Sequence, residues 1–377
     1  MTSRFTIGIE EEFQMVDRQT LQLSPRIQTI LEKGYPVFGE QIKAEMLQST
    51  VELISDILPN VTAARLEMRD LRSKLAQLLA EEGLALISAG THPAAQWQQE
   101  ARSPYPRYAE LDEEFQDVAR SILIFGLHVH IGVENQEMAV ILMNQLRTWL
   151  PHLLALSTNS PFWAGRLTGL KSYRSVVWKP FPRSGVPEIF PTWSDFDNYV
   201  QSLIKTGCID NGKRIWWDIR PHPFFNTVEF RICDMPSTLE DTIAIAALCQ
   251  ALVAKLSWMY KHGTEVHMLS THFIEENKWH VMRHGLDAEI LDFVLGRRLT
   301  MRQSLDETLD FVDDVLDDLG SRREINNIRI LLDDPHGTGA DRQIATYRRT
   351  GNIKDVIELL TRQTMKDIPQ AEEKSLF

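Results

Sequence analysis

GIEEEF, residues 8–13, places three carboxylates in a row inside an alternating stretch, residues 5–16, that predicts a strand. Successive side chains of a strand point to opposite faces, so Glu10 and Glu12 share one face and Glu11 lies on the other. Two carboxylates roughly 7 Å apart on one face repel each other unless a cation lies between them. The segment therefore predicts a cation site, with a solvated edge strand carrying three acids as the alternative.

A second pair of acids, Glu45 and Glu52, lies in AEMLQSTVEL, residues 44–53. A spacing of seven puts them on opposite faces of one regular strand, so they converge only if the chain turns near Gln48, Ser49 and Thr50. Glu52 is the stronger candidate because it interrupts an apolar run. The alternative is two unrelated surface acids.

Two histidines, His128 and His130, share a strand face in GLHVHIG, residues 126–132. Paired histidines among branched apolar residues are typical of metal sites, and a hydrogen-bonded pair in the core is the alternative. Further along, TVEFRICD, residues 227–234, puts Glu229 and Arg231 on one face, and Arg220 ends the preceding strand. A carboxylate beside two arginines suits a site for metal and phosphate, or else a buried structural ion pair.

Five cations fall within eighteen residues of the long segment 158–193, which is rich in Pro, Gly, Ser and aromatic residues: Arg166, Lys171, Arg174, Lys179 and Arg183. Long loops that are not simple connectors are often functional. The cations predict an anion site, and a plain basic loop is the alternative.

Composition narrows the classes of function. The chain has 377 residues, 43% of them hydrophobic and 24% charged, which is typical of a globular protein. A net charge of −12 argues against nucleic acid as a partner. Three cysteines without a CxxC pair, an acidic N-terminal segment and no apolar run of about 18 residues predict a cytoplasmic protein without a membrane span.

Strand patterns cluster before residue 235, and from Thr238 onward nearly the whole chain predicts helix. Asn60 is typical of a helix N-cap, and Pro151 predicts a kink or break within a helix over 135–157. Other expected elements are helices near 108–124 and 194–206 and strands at 84–89, 126–133, 214–220 and 227–234. Because strands and helices do not alternate regularly, the chain predicts an α+β fold with a mainly antiparallel sheet, one domain over 1–370 and a frayed tail at 371–377.

Oxygen-rich ligand sets favour Mg²⁺ or Mn²⁺, and so many carboxylates predict two or more ions of the kind that bridge nucleotide phosphates. No Walker loop accompanies them, because Gly339 in the sequence GTG, residues 337–339, is not followed by Lys.

Taken together, these segments resemble the type-2 glutamate–cysteine ligase family, in its bacterial carboxylate–amine ligase branch. The matching strings are GIEEEF, AEMLQSTVEL, AGTHP, GLHVHIGV, NSPFWAGRLTGLKSYRS, WDIRPHPFFNTVEFRICDMP and GADRQ, in order from residue 8 to about residue 343. The resemblance implies a glutamine-synthetase-like catalytic domain: a curved antiparallel sheet, helices on its outer face and a helical C-terminal part. It implies ATP-dependent amide formation through an acyl phosphate, with a weak glutamate–cysteine ligase activity.

The resemblance also assigns roles to individual residues. The metal ligands expected from it are Glu10, Glu12, Glu45, Glu52, His128 and Glu229. Arg231 and Arg220 are expected to face the transferred phosphate of ATP, and Arg174, His130 and Thr91 to bind substrate. Glu11 is expected to be dispensable, and segment 158–193 is a candidate lid over the site.

Two other functions stay open. The same Glu/His cluster would serve a metal-dependent amide hydrolase that activates water, or a metal-stabilised binding protein without turnover. A ligase would take small molecules, namely glutamate or a similar carboxylate and an amine such as cysteine, and is compatible with a homodimer. The sequence does not distinguish cysteine from another amine.

Overall fold

The computed structural model describes residues 5–264 and 266–369. Its strands are β1 (Ile7–Asp17), β2 (Ile42–Ala44), β3 (Thr50–Ile54), β4 (Leu84–Ile87), β5 (Gly126–Gly132), β6 (Phe162–Trp163), β7 (Arg166–Leu167), β8 (Ser184–Gly185), β9 (Trp216–Trp217), β10 (Ile219–Pro221), β11 (Thr227–Asp234), β12 (Glu289–Asp292) and β13 (Arg297–Thr300). Its helices are α1 (Ile27–Phe38), α2 (Val61–Glu81), α3 (Pro106–Phe115), α4 (Asp117–Arg120), α5 (Gln136–Leu146), α6 (Leu150–Ser157), α7 (Arg174–Trp178), α8 (Trp193–Lys205), α9 (Leu239–Lys261), α10 (Thr271–His284), α11 (Met301–Phe311), α12 (Leu316–Leu319), α13 (Arg322–Asp333), α14 (Gly339–Thr350) and α15 (Ile353–Thr364).

The central sheet has seven strands in the order β10-β11-β5-β1-β3-β2, and β4 pairs with the second half of β1. Every pairing within it is antiparallel, which confirms the predicted type of sheet. Directly opposed residues of neighbouring strands point to the same face. Three opposed pairs are Glu12 with Glu52, Glu10 with His128, and His130 with Glu229. The separate sequence motifs therefore meet on one face of the sheet, here called the cleft face.

The opposite face of the sheet, here called the back face, packs on α2 and α9. Ile9 and Phe13 of β1 are buried there, as their alternation with the cleft-face acids predicts. Glu11 lies between them, fully buried, and takes hydrogen bonds from Arg72 of α2 and Thr242 of α9. The expectation that Glu11 is dispensable is therefore wrong in structural terms, because its removal would leave the buried guanidinium of Arg72 without a counter-charge.

Helix α9 is long and apolar enough to cross a membrane by length and composition. However, 83% of its most apolar window is buried inside the protein, as in the core helix of a layered fold.

Local signals in the sequence account for several element boundaries. Asn60 caps α2, accepting a hydrogen bond from the backbone of Ala63 at 2.9 Å. Strands β2 and β3 pair as a hairpin, so the chain turns between them, as expected near residues 48–50. Because of this turn, Glu45 and Glu52 line the same cavity. The predicted break near Pro151 falls between α5 and α6.

Two expectations about elements were wrong. The helix expected over 108–124 is two helices, because Gln116 adopts φ of +49° and interrupts the helical backbone. The strand expected over 214–220 is split into β9 and β10 at Asp218, whose carbonyl accepts from the backbones of both Arg231 and Ile232. The part after Thr238 is mainly helical, as predicted, and also contains a short hairpin, β12–β13, with Gly296 at φ of +63° in its turn.

A continuous apolar core runs through the sheet and the helices, from Ile7 to Ile368. This core supports the single domain predicted over residues 1–370, which stays a prediction. The tail at 371–377 lies outside the described residues. Segment 158–193 contains β6, β7, α7 and β8 and is partly buried against the sheet and α10.

Candidate active site

Glu10, in the middle of β1, lies between the two histidines of β5. Its Oε2 is 2.9 Å from Nδ1 of His128, and its Oε1 is 3.3 Å from Nε2 of His130. Burial acts to raise the pKa of Glu10, but the hydrogen bonds to His128 and His130 outweigh it and hold that pKa well below its usual range. Glu10 is therefore ionised and shared by both sides of the cleft face.

Two groups of side chains offer ligand atoms within 4.8 Å of one another: Glu10, Glu52 and His128, and Glu10, His130 and Glu229. Glu10 belongs to both groups. The structure thus places His130 among ligands able to hold a metal, whereas the sequence had assigned it to substrate. Sets dominated by carboxylates fit Mg²⁺ or Mn²⁺.

Three further carboxylates on this face are short of positive charge. Burial, followed by repulsion from Glu45, raises the pKa of Glu12 to about 7. Burial also raises the pKa of Glu45, and burial with repulsion from Glu10 raises that of Glu52 well above its usual range. The repulsion between these buried carboxylates would be relieved by bound cations. The chemistry of the donors therefore fits the predicted ions.

Glu229, on β11, is held by both predicted arginines. Arg220 binds it with two nitrogens, at 2.7 and 3.1 Å, and Arg231 binds it through Nη1. Arg220 also donates to the carbonyls of Lys213 and Ile215, so most of its donors are committed inside the protein. Arg231 lines the cleft, and its Nε has no hydrogen-bond partner among the described residues.

The two arginines are therefore not equivalent. Arg231 lines the cleft, and its predicted role toward phosphate stays a prediction. Arg220 is 5% exposed and is absent from the lining of the cleft around Glu12 and Glu52. The geometry suits Arg220 for holding Glu229 rather than for contacting phosphate itself.

Arg174, at the start of α7, reaches the cleft from the long segment. Its guanidinium donates to the carbonyls of Ile232 (3.1 Å) and Arg231 (3.2 Å). Its Nε is buried and has no hydrogen-bond partner in residues 5–264 and 266–369. The other four cations of that segment do not converge with it. Lys171 pairs with Asp341, Lys179 with Glu275, Arg183 stacks on Trp216, and Arg166 is exposed.

Thr91, expected to bind substrate, is buried, and its hydroxyl donates to the carbonyl of Phe162 at 2.8 Å. It does not line the cleft around the acids. The AGTHP turn instead contacts the β6–β7 hairpin, through Phe162 and through the hydrogen bond from the Gly165 backbone to the carbonyl of Pro93.

The cleft extends on both sides of Glu10. On one side is a cavity of about 360 Å³ lined by Glu12, Glu45, Glu52, His128, Arg174 and Arg231, and walled by Trp178, Phe181 and Trp216. On the other side is a larger cavity of about 970 Å³, lined by Gly8, Lys43, His130, Lys213, Phe224 and Phe225. Glu10 therefore lies where the two cavities meet, and Glu12, Glu45 and Glu52 line the smaller one.

Sequence reasoning missed several lining residues, including Arg107, Tyr108 and Lys213. They lie outside the strand motifs, so periodicity carried no signal for them. Phe224 and Phe225 could have been picked out from the sequence, because they are two adjacent aromatic residues after the prolines of a turn. In the structure they are 59% and 61% exposed.

The sequence profile of glutamate–cysteine ligase family 2 matches residues 6–359. A protein of Solibacter usitatus named "Putative glutamate--cysteine ligase 2" is 49% identical over 360 residues, which cover 95% of this chain and 93% of that protein. A protein of the same name from Chloroflexus aurantiacus is 47% identical over 365 residues, covering 97% and 93%.

Among solved structures, the glutamate–cysteine ligase of Francisella tularensis in complex with AMP matches with a TM-score of 0.69 at 13% identity. The match covers 96% of this chain and 89% of that one. At this identity the likeness concerns the fold, and it confirms the predicted α+β, glutamine-synthetase-like architecture.

Proposed function

The chain belongs to glutamate–cysteine ligase family 2, and on that premise we propose that it joins a carboxylate, first of all glutamate, to an amine by using ATP. The observation that carries the proposal is Glu10, which two ligand groups share at the junction of two cavities. A ligase of this kind must bring a nucleotide and a carboxylate together from different sides. Arg231 lines the smaller cavity together with Glu10 and supplies positive charge there.

We assign the nucleotide to the larger cavity. It is wide enough for a base and a ribose, and exposed Phe224 with Lys213 above its ring offers a stacking and charged surface. The carboxylate substrate is assigned to the smaller cavity, where Arg174 and Arg107 are two of the lining cations. His130 and Thr91, expected at the substrate, are left out of this assignment because of their positions.

Two or more ions of Mg²⁺ or Mn²⁺ are part of the proposal. Glu10, Glu52 and His128 would hold one, Glu10, His130 and Glu229 a second, and Glu12 and Glu45 lie close enough to the first group to shift its charge balance. When bound, such ions neutralise the charge of the nucleotide phosphates during phosphoryl transfer.

The proposed reaction has two steps. An oxygen of the substrate's side-chain carboxylate attacks the γ-phosphorus of ATP, and the bond to the bridging oxygen of ADP breaks, which gives an acyl phosphate. The amine nitrogen then attacks the acyl carbon, phosphate leaves with one former carboxylate oxygen, and the nitrogen loses a proton to solvent. Arg231 stabilises the charge that develops on the transferred phosphoryl group.

Water must stay away from the acyl phosphate, because hydrolysis would waste ATP. Trp178, Phe181 and Trp216 pack against one another along the smaller cavity and provide an apolar wall on that side. The role of segment 158–193 as a lid stays a prediction, as do a homodimer, a cytoplasmic location and the absence of nucleic-acid and membrane partners.

Isotope transfer tests the proposal. Glutamate labelled with ¹⁸O in its side-chain carboxylate is incubated with ATP, Mg²⁺ and a panel of amines that includes cysteine. We expect ADP release that needs all three components, one ¹⁸O in the released phosphate, and a γ-glutamyl amide by mass spectrometry. Unlabelled phosphate, or amide cleavage without ATP, would overturn the proposal, and the latter would favour the amide hydrolase.

A further inference from the structure

Asp234, at the end of β11, is a fully buried carboxylate that the proposed reaction does not use. Its Oδ2 accepts hydrogen bonds from the backbone of Asn159 (2.9 Å) and the hydroxyl of Ser160 (2.6 Å). Its Oδ1 accepts from the hydroxyl of Ser172 (2.8 Å). Three neutral donors thus surround one buried charge.

The hydrogen bonds of Asp234 lead directly to Arg174. The hydroxyl of Ser160 accepts from the backbone N–H of Arg174 at 3.0 Å while it donates to Asp234. Ser172, two residues before Arg174, is held by the other oxygen of Asp234. The strand that ends in Asp234 also supplies the Ile232 carbonyl that receives the Arg174 guanidinium. Asp234 therefore fixes both the backbone of Arg174 and the strand on which its side chain lies.

A residue from the C-terminal helices completes the arrangement. The side-chain nitrogen of Gln343, in α14, donates to Oδ1 (2.7 Å) and to the carbonyl (3.1 Å) of Asn159. The side-chain nitrogen of Asn159 in turn donates to the carbonyl of Met235, next to Asp234, at 2.8 Å. Gln343 belongs to GADRQ, residues 339–343, which has no role in the proposed chemistry.

Three glycines allow these groups to come close. A Cβ at Gly90 would lie 2.8 Å from Cγ of Asp234, and one at Gly126 would lie 2.5 Å from Nη2 of Arg174. A Cβ at Gly339 would lie 2.1 Å from Oδ1 of Asn159. A larger residue at any of the three would displace a member of the same hydrogen-bonded set.

We propose that Asp234, Ser160, Asn159 and Gln343 are positioning residues, which hold Arg174 in the cleft in the orientation that binds the substrate carboxylate. This inference rests on the proposed function, which assigns Arg174 to that carboxylate. Arginine has a long, flexible side chain, and the Nε of Arg174 has no hydrogen-bond partner in the part of the chain that the structure describes. The position of its guanidinium therefore depends on what holds its backbone and its two Nη groups. The same set ties α14 to the sheet, so a purely structural role is the alternative to be tested.

Ser160→Ala is the decisive variant, because it removes one hydroxyl that links Asp234 to Arg174. We expect the KM for glutamate to rise about tenfold, the size of one lost hydrogen bond to a charged group, while the KM for ATP stays unchanged. The ¹H–¹⁵N signal of the Arg174 Nε–H, identified by its loss in Arg174→Lys, should shift in Ser160→Ala and in Gln343→Leu. Asp234→Asn should raise the KM for glutamate more than Ser160→Ala does. The amide nitrogen of Asn would then face the hydrogen-bond donors that now bind Asp234.

Ser157→Ala is the matched control: its buried hydroxyl donates to the carbonyl of Leu154, outside the set. It should change neither the KM for glutamate nor the Arg174 signal. Equal rises in both KM values, or lower melting temperatures with an unmoved Arg174 signal, would overturn the inference in favour of a structural role. If Arg174→Lys itself leaves the KM for glutamate unchanged, the substrate role of Arg174 in the proposed function fails instead.

Discussion

Glu11 and Glu12 are neighbours in β1, yet they meet opposite environments. On the back face, Glu11 is fully buried against Arg72, which donates to its Oε2 at 2.9 Å, and against the hydroxyl of Thr242, also at 2.9 Å. On the cleft face, Glu12 is buried beside Glu45, and its pKa is raised to about 7. One charge is neutralised within the fold, whereas the other is left without its own cation.

The difference separates stability from function along a single strand. A buried acid with a bidentate arginine contributes to a defined native state, and removing one partner is costly. Acids that crowd one another destabilise the fold unless something from outside the chain neutralises them. We therefore expect the back face to govern folding and the cleft face to govern cation binding and turnover.

The largest effect is expected on the back face. Glu11→Gln should lower the free energy of unfolding by about 3–5 kcal/mol, because Arg72 would be left charged and unpaired in the core. Urea denaturation measures this. The double variant Glu11→Gln/Arg72→Met removes both charges and should recover part of the loss. A loss below about 1 kcal/mol in Glu11→Gln would show that the two faces do not differ in this way.

A change of one atom on the cleft face should instead abolish turnover. Glu10→Gln should reduce ADP release about 10²–10³-fold, since the residue belongs to both ligand groups. Its circular dichroism without metal should stay close to that of the unchanged protein, which shows that the variant is folded. Activity within a few-fold of normal would remove Glu10 from the proposed machinery.

Glu52→Gln should stabilise the metal-free protein. Its carboxyl has a pKa raised well above the usual range by burial and by Glu10, so an uncharged isostere relieves repulsion. We expect a higher melting temperature without metal at pH 8, together with a smaller gain in melting temperature on adding Mg²⁺. Glu81→Gln, on the exposed end of α2, is the control and should do neither.

The smallest effect is a pH dependence of stability without metal. Because the folded-state pKa values of Glu12, Glu45 and Glu52 are raised, the folded protein keeps protons at these acids that the unfolded chain has lost, and their contribution to stability falls as pH rises. For Glu12, with a pKa of about 7, the expected fall between pH 6.5 and 8 is about 0.8 kcal/mol.

Histidines with lowered pKa values oppose this fall near pH 6.5, where the unfolded chain still binds part of their protons. These are His92, His128, His152 and His222, whose pKa values burial lowers to about 4. Thermal melts in a pH series, with and without saturating Mg²⁺, separate the two effects, because Mg²⁺ acts on the acids. A pH dependence of stability that is the same in both series would contradict the assignment of these acids to cation binding.

Much of this contrast could be predicted from the sequence. Period-two alternation assigned Glu10 and Glu12 to one face and Glu11 to the other, and the same rule placed His128 with His130 and Glu229 with Arg231. Antiparallel pairing then brought the motifs together. Alternation identifies a face, but it does not identify what covers that face, so the partners of Glu11 on α2 and α9 were not predictable.

The same limit explains why some predicted site residues do not lie where they were expected. In the sequence, Arg220 and Arg231 are equivalent as cations near Glu229. Only the structure shows that Arg220 also donates to the carbonyls of Lys213 and Ile215, whereas Arg231 lines the cleft. Thr91 lies in a turn-like motif, but its hydroxyl is used by Phe162. Such assignments depend on hydrogen bonds between distant segments, which spacing along the chain does not record.

The central claim is that Glu10 joins two cation sites on the cleft face. Electron paramagnetic resonance of a Mn²⁺ titration in the presence of ATP tests it directly. The account predicts two bound Mn²⁺ per chain with magnetically coupled signals, and loss of the coupling in Glu10→Gln but not in Glu81→Gln. Binding of no Mn²⁺ above the exposed-acid background, or coupling that survives Glu10→Gln, would contradict it.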